Sequence, residues 1–343
     1  MKKHNLLYLF FVVLFFAVGC KEDEETPVTP TTTIDEATEL VKYVEANGDY
    51  IYSGASFVMT AATYKTEVTA DPTKIYTIDI RSAADYTTKH LKGAVNVTIP
   101  NLLTHVKTIN FANYKNVVVT CYSGQSAAYS ISLVRSVLPI ANANKLVSLK
   151  WGMTSIDSQF ATTTWLTKML NPRATSFVVT DPPTKPAKGN LPTLATGKKT
   201  GKEILEARVD ALLAAGYTIG IGDATVYTAL TNYFIINYWP VAAYKDPGHI
   251  EGAYNYDPAS KPFKLDSTLK TLPTDKPVVL YCYTGQTSAY VGAYLKLIGY
   301  DAKSISYGGN SMIYDKMKAS ANIPAANVFI PANEIKGYKD LLE

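Results

Sequence analysis

Arginine is scarce in this sequence: four among 343 residues, at Arg81, Arg135, Arg173 and Arg208. Charged residues of both signs make up only 18%, and the net charge is +4, close to +2 once Lys2 and Lys3 are set aside. A nucleic-acid partner calls for a face rich in lysine and arginine, so none is expected. Cysteine is scarcer still, with three residues. That number excludes a disulfide-stapled scaffold and a four-cysteine zinc site. Four histidines, one of them His4, add no ligand cluster, so neither a metal nor an organic cofactor is expected. What the chain has is length and apolar content. Hydrophobic residues account for 47%, enough for sizeable cores, and 343 residues leave room for two domains.

The first cysteine belongs to a leader. Lys2 and Lys3 precede Leu6 to Val18, an unbroken apolar run of thirteen residues. Such a run is short for a bilayer-spanning helix and suits the core of a signal peptide. It ends in Ala17-Val18-Gly19-Cys20, which resembles the lipobox of bacterial lipoproteins. The resemblance implies a signal peptide over 1–20 and lipidation at Cys20. The acidic run that follows Cys20 resembles surface-export signals of some Gram-negative lipoproteins, and together the two resemblances imply a lipid anchor on the cell envelope of a Gram-negative bacterium, in the outer membrane on its periplasmic or surface face. Ala17 stands where that motif usually has leucine, and the alternative is an ordinary secretory signal with a chance cysteine. Residues 21–34 hold the acidic run Glu22-Asp23-Glu24-Glu25 and a Thr/Pro stretch. That composition forms no core and reads as a flexible tether.

The rest of the chain contains one unit twice. Val117-Val118-Val119-Thr120-Cys121-Tyr122-Ser123-Gly124-Gln125-Ser126 matches Val278-Val279-Leu280-Tyr281-Cys282-Tyr283-Thr284-Gly285-Gln286-Thr287. Upstream, His90-Leu91-Lys92-Gly93-Ala94 matches His249-Ile250-Glu251-Gly252-Ala253. The histidines are 159 residues apart and the cysteines 161. Trp151-Gly152-Met153 falls opposite Tyr307-Gly308-Gly309. Markers in one order at nearly constant offset mean a duplicated domain. We assign the units to residues 35–170 and 202–343, joined by a proline-rich connection over 171–201. Within that connection, Ser176-Phe177-Val178-Val179 forms a short apolar piece that can pack on a domain.

Lys74–Ile80, Val117–Thr120, Tyr233–Ile236 and Val278–Tyr281 read as buried strands. Asp35–Val44, Ser126–Leu138, Lys202–Ala215 and Thr287–Ile298 show helical spacing, with Gly299 placed to close the last. Alternating strands and helices predict an α/β fold with a mostly parallel sheet in each unit.

Each remaining cysteine ends a strand and precedes a helix. A loop of that kind turns backbone N–H groups toward one point at the positive end of a helix dipole. Sulfur held there is favoured as thiolate, its reactive form. Gly124 and Gly285 permit the tight turn, and Ser126 and Thr287 are candidate helix caps. A buried, inert cysteine is the alternative at either site.

The ordered set Ile78-Asp79-Ile80-Arg81, His90-x-x-Gly93-Ala94-x-Asn96, Cys121-x-x-Gly124-x-Ser126 and its second copy resembles the rhodanese family of sulfurtransferases. The resemblance implies two tandem α/β domains, each a central parallel sheet flanked by helices. It implies that Cys121 and Cys282 are catalytic nucleophiles. A small sulfur donor would load them as persulfides, and a thiol or cyanide acceptor would unload them. Tyr122, Ser123, Gly124, Gln125 and Ser126, with Tyr283, Thr284, Gly285, Gln286 and Thr287, would form the substrate cradles. Asp79 and Arg81 would support the first loop, and His90 and His249 would hold turns away from the sulfur. His105 has no counterpart and reads as a surface residue.

The chain departs from the family in two ways. Tyr122 and Tyr283 follow the cysteines where thiosulfate-using members often have arginine, and neither loop carries a charge. A dianionic donor would lose charge-assisted hydrogen bonds there, each worth about 1.5–3 kcal/mol. A persulfide or polysulfide suits a neutral loop better. The second unit has Asn237 and Trp239 where the first has Asp79 and Arg81. That difference argues for the first cysteine, whereas two-domain relatives usually work through the second. A catalytically weak binding or scaffold lipoprotein is the competing reading. A phosphatase would need an arginine closing the loop, where Ala127 and Ser288 stand. Thiol redox between Cys121 and Cys282 would need a close approach that sequence does not supply.

Overall fold

Within each apolar strand run, alternate residues face opposite sides of the sheet, and both sides are buried. In the computed structural model, which describes residues 34–343, this alternation sorts the two sheets into layers. The expected signal peptide, the tether and Cys20 lie outside the described residues, apart from Ile34.

The first sheet comprises β1 (Val58–Met59), β2 (Ile75–Asp79), β3 (Val95–Asn96), β4 (Asn116–Thr120) and β5 (Leu146–Leu149). Its strands are all parallel, in the order β1-β5-β4-β2-β3. β6 (Phe177–Val178) lies in the connection between the units. The second sheet comprises β7 (Gly220–Ile221), β8 (Phe234–Asn237), β10 (Tyr254–Asn255), β11 (Val278–Tyr281) and β12 (Ala302–Ile305), with β9 (His249–Ile250) outside it. Its order, β7-β12-β11-β8-β10, repeats the first. The chain therefore folds as two parallel α/β sheets of five strands each, flanked by helices.

Val117 and Val119 of β4 and Val278 and Leu280 of β11 point into one core shared by both sheets. Val118 faces a separate outer core on the first sheet, and Val279 and Tyr281 face another on the second. The helices Gln125–Val137 and Gln286–Ile298 lie in the shared core, where the Ser132 hydroxyl donates to the Tyr290 carbonyl at 2.7 Å. The two sheets thus share a middle layer rather than forming separate beads.

Helix boundaries follow from local chemistry. Asp35 caps Glu36–Ala46 by accepting from the Thr38 amide. Thr200 and Glu203 form a reciprocal capping box on Gly201–Ala215. Gly299 closes Gln286–Ile298 at φ +109°. The expectation that Ser126 and Thr287 cap the loop helices is corrected: the caps are Gly124 and Gly285, in left-handed conformation and without a side-chain bond. Ser126 and Thr287 lie inside the first turn. At the second loop the Cys282 sulfur takes the place of a capping oxygen, accepting from the Ser288 amide at 3.3 Å.

In the connection, β6 pairs antiparallel with β9, burying Phe177 against the outer core of the second sheet. Further on, the Thr196 and Gly197 amides donate to the Glu36 carboxylate at 2.8 and 2.9 Å. The last residues of the chain return to the first sheet's side. The Glu343 amide donates to the His90 carbonyl at 3.0 Å, and Leu341 and Leu342 complete its outer core.

Candidate active site

β4 and β11 are central strands, and each cysteine sits one residue beyond the strand end. Ligands of open parallel sheets bind at this carboxyl edge. Cys282 is 3% exposed, and its Sγ accepts hydrogen bonds from the Gly285 amide at 3.2 Å and the Ser288 amide at 3.3 Å. The Thr284 hydroxyl lies 3.9 Å from the same sulfur. Cys121 is 4% exposed, and its Sγ accepts from the Gly124 amide at 3.1 Å. Both thiols are free.

The two sulfurs differ in what lies over them. Cys282 lines a cleft of about 580 Å³. Cys121 is packed into the shared apolar core and does not line that cleft. Unequal connections accompany the difference. From helix to first strand, the first unit uses residues 47–57, whereas the second uses only 216–219. The longer connection brings Ile51, Tyr52, Ser56 and Phe57 to the cleft over Cys282. The shorter one carries Tyr217, whose buried hydroxyl is pushed well above its ordinary pKa, first by burial and then by the nearby Cys121 thiol.

Each loop is fastened to the opposite unit. The Gln125 Oε1 accepts from the Tyr307 amide at 2.9 Å, and the Gln286 Oε1 accepts from the Trp151 amide at 3.1 Å. Trp151 and Tyr307 occupy matching left-handed positions, φ +63° and +62°, that cost a bulky residue about 1–3 kcal/mol each. The glycines after them are required by close approach: a Cβ on Gly152 or Gly308 would collide with the carbonyl of Cys121 or Cys282. The glutamine side chains therefore brace the two loops against each other and do not line the cleft over Cys282. Gln125→Ala and Gln286→Ala are each expected to lose about 1–3 kcal/mol, the cost of one orphaned buried amide. Urea midpoints of the two variants measure it.

The remaining loop residues divide by unit. Tyr122 packs 5.0 Å from the Arg81 guanidinium, and the Ser123 hydroxyl accepts from Gln125 Nε2 at 3.1 Å. Tyr283 stacks on Trp239 at 4.9 Å and lines the cleft with Thr284 and Thr287. Asp79 and Arg81 form a buried ion pair at 2.7 Å, and Arg81 Nη2 donates to the Lys89 carbonyl at 2.6 Å. In the second unit this support is rebuilt without charge. Asn237 Nδ2 donates to the Tyr281 hydroxyl at 2.8 Å, and that hydroxyl accepts from the Ile250 amide at 3.1 Å.

The histidines stand apart from the sulfurs. His90 and His249 stack on Tyr86 and Tyr244 at 3.7 and 3.6 Å. Their Nδ1 atoms bond to the carbonyls of those tyrosines. Burial holds the His249 pKa below its ordinary value. His105, expected at the surface, is half-buried because its Nε2 meets the Tyr76 hydroxyl at 2.9 Å.

Sequence reasoning did not find the cleft residues outside the cysteine loop: Tyr52, Phe57, Tyr238, Lys261 and Tyr290. The one available signal was the extra aromatic-rich length of residues 47–57 relative to 216–219.

A model of the rhodanese-like domain matches residues 60–159 and 229–313. Among solved structures, a rhodanese-related protein from Thermoplasma volcanium is 21% identical, with 29% of this chain and 93% of that chain covered and a TM-score of 0.25. A thiosulfate sulfurtransferase from Pseudomonas aeruginosa is 12% identical, with 82% and 68% covered and a TM-score of 0.24. A 3-mercaptopyruvate sulfurtransferase from Leishmania major is 13% identical, with 80% and 77% covered and a TM-score of 0.26. No curated protein matches the chain. The two stretches that match the domain make up more than half of the sequence, and each holds one cysteine loop. The chain belongs to the rhodanese-like domain family and carries that domain twice.

Proposed function

We propose that the protein is a rhodanese-type sulfurtransferase that works through Cys282. The observation that carries this reading is the contrast in surroundings: Cys282 borders a cleft and receives two amide hydrogen bonds, whereas Cys121 is packed in the shared core and receives one. The Cys282 thiolate attacks the outer sulfur of a persulfide or polysulfide. The donor's S–S bond breaks and its electron pair leaves with the donor thiolate. The enzyme then holds Cys282–S–S⁻, its sulfurs beside the loop amides and the Thr284 hydroxyl. An acceptor thiolate or cyanide attacks that outer sulfur, and Cys282 leaves as thiolate. Charge and atoms balance at both steps without a redox partner. Intact mass after exposure to polysulfide tests the reading. A gain of about 32 Da, discharged by cyanide, is expected. No gain with both thiols still free would favour the binding-module reading, which the lack of charge in the Cys282 loop supports.

An envelope location accompanies this proposal. Its support is the Ala17-Val18-Gly19-Cys20 sequence and the tether after it. No helix among the described residues is long and apolar enough to cross a membrane. Cys20→Ser is expected to shift the protein from the membrane to the soluble fraction on cell fractionation. Retention of the variant in membranes would rule out the lipid.

A further inference from the structure

We infer that the Cys282 cleft selects an organic sulfane-sulfur donor with an apolar body and one anionic group, in preference to small inorganic donors. The inference rests on the sulfurtransferase reading and names its substrate class. A volume of about 580 Å³ falls in the roughly 300–1,000 Å³ range of pockets that enclose small organic ligands. An inorganic oxyanion would leave most of it to water.

The walls are aromatic. Phe57 stacks on Tyr290 at 4.1 Å, and Tyr52, Tyr238 and Tyr283 line the same space. Lys261, exposed, is the one charged residue among the described residues lining the cleft. Asp49, paired at 3.7 Å with Lys264, also feels the Lys261 charge, and Asp257 stands near the wall tyrosines Tyr238 and Tyr283. A second cation stands behind the wall. The buried Arg135 guanidinium lies 5.6 Å from the Tyr290 ring centre, with Nε and Nη1 unpartnered and no carboxylate paired to it among the described residues. Lys261 at the exposed rim and the buried Arg135 behind the wall are the cations that an anionic group on the donor would meet, and positive charge in a cleft with low-dielectric walls draws anions toward it. One apolar body and one negative charge satisfy both features.

Benzenethiosulfonate and methanethiosulfonate probe this directly, because they share a reacting group and differ in the body. Each gives Cys282–S–S⁻ when its sulfonyl–sulfur bond breaks and the electron pair leaves with the sulfinate. Thiocyanate formation from cyanide is followed with the detergent-solubilised full chain. Each donor is normalised to its rate with free cysteine. We expect kcat/KM for the phenyl donor to exceed that for the methyl donor by about tenfold or more, the scale on which apolar pockets discriminate. Phe57→Ala should shrink that ratio, and Lys261→Gln should raise KM for both donors while leaving the ratio intact. Equal normalised values for the two donors, with sulfur loading intact, would overturn the inference but not the sulfurtransferase reading. No loading by either donor or by inorganic polysulfide would overturn both.

Discussion

Cys282→Ser is expected to abolish sulfur loading and turnover, and Cys121→Ser to leave most of both. Serine is a weak nucleophile at its own pKa, and the second loop has no neighbouring base to activate it. The expected loss is about a thousandfold or more, the scale on which enzymes respond to removal of a nucleophile. Cys121 has the matching sequence but not the matching surroundings. It is packed in the shared core, and its sulfur receives one amide hydrogen bond where Cys282 receives two. Intact mass and thiocyanate assays on the two single variants decide the matter. A polysulfide adduct that survives Cys282→Ser and vanishes with Cys121→Ser would reverse the assignment.

The largest stability effect is expected from Asp79→Ala. The Asp79 carboxylate accepts from both Nε and Nη2 of Arg81 and from the Arg81 amide, and neither side chain reaches solvent. Removing one partner of a buried pair leaves the other charge uncompensated, at about 3–5 kcal/mol. That is a large share of the roughly 5–15 kcal/mol that holds a typical domain folded. Asn237→Ala, at the matching position, breaks a neutral network and should cost only about 1–3 kcal/mol. Urea denaturation of the two variants compares them directly. Equal losses would mean that the ion pair adds nothing beyond its neutral replacement.

The readable parts of this fold were those written locally. Val117–Thr120 and Val278–Tyr281 announced buried strands because their apolar content, length and flanks all agree. The duplicated cysteine loops announced the site because four markers recur in register. Helix caps at the cysteine loops were misplaced because Ser126 is a good cap by composition. Sequence does not show that Gly124 turns left-handed first and that sulfur receives its amide. The cleft was hidden for a different reason. Phe57 and Tyr290 are 233 positions apart, and only the shared middle layer brings their rings together. Lys261 and Arg135 carried no motif at all. Their significance comes from facing an aromatic wall that neither residue's neighbours in sequence encode.

The crossed glutamines also bear on how such a duplicated chain can change. Gln125 belongs to the loop whose own sulfur is packed away, yet its carboxamide holds the turn behind Cys282. A mutation that silences Cys121 therefore does not release its loop from service. The first half has become part of the second half's scaffold, and cutting the chain between them would leave two fragments, each missing a brace. Divergence is free to act on what covers each cysteine, as the unequal connections illustrate, while the loops beneath remain bound to a common shape.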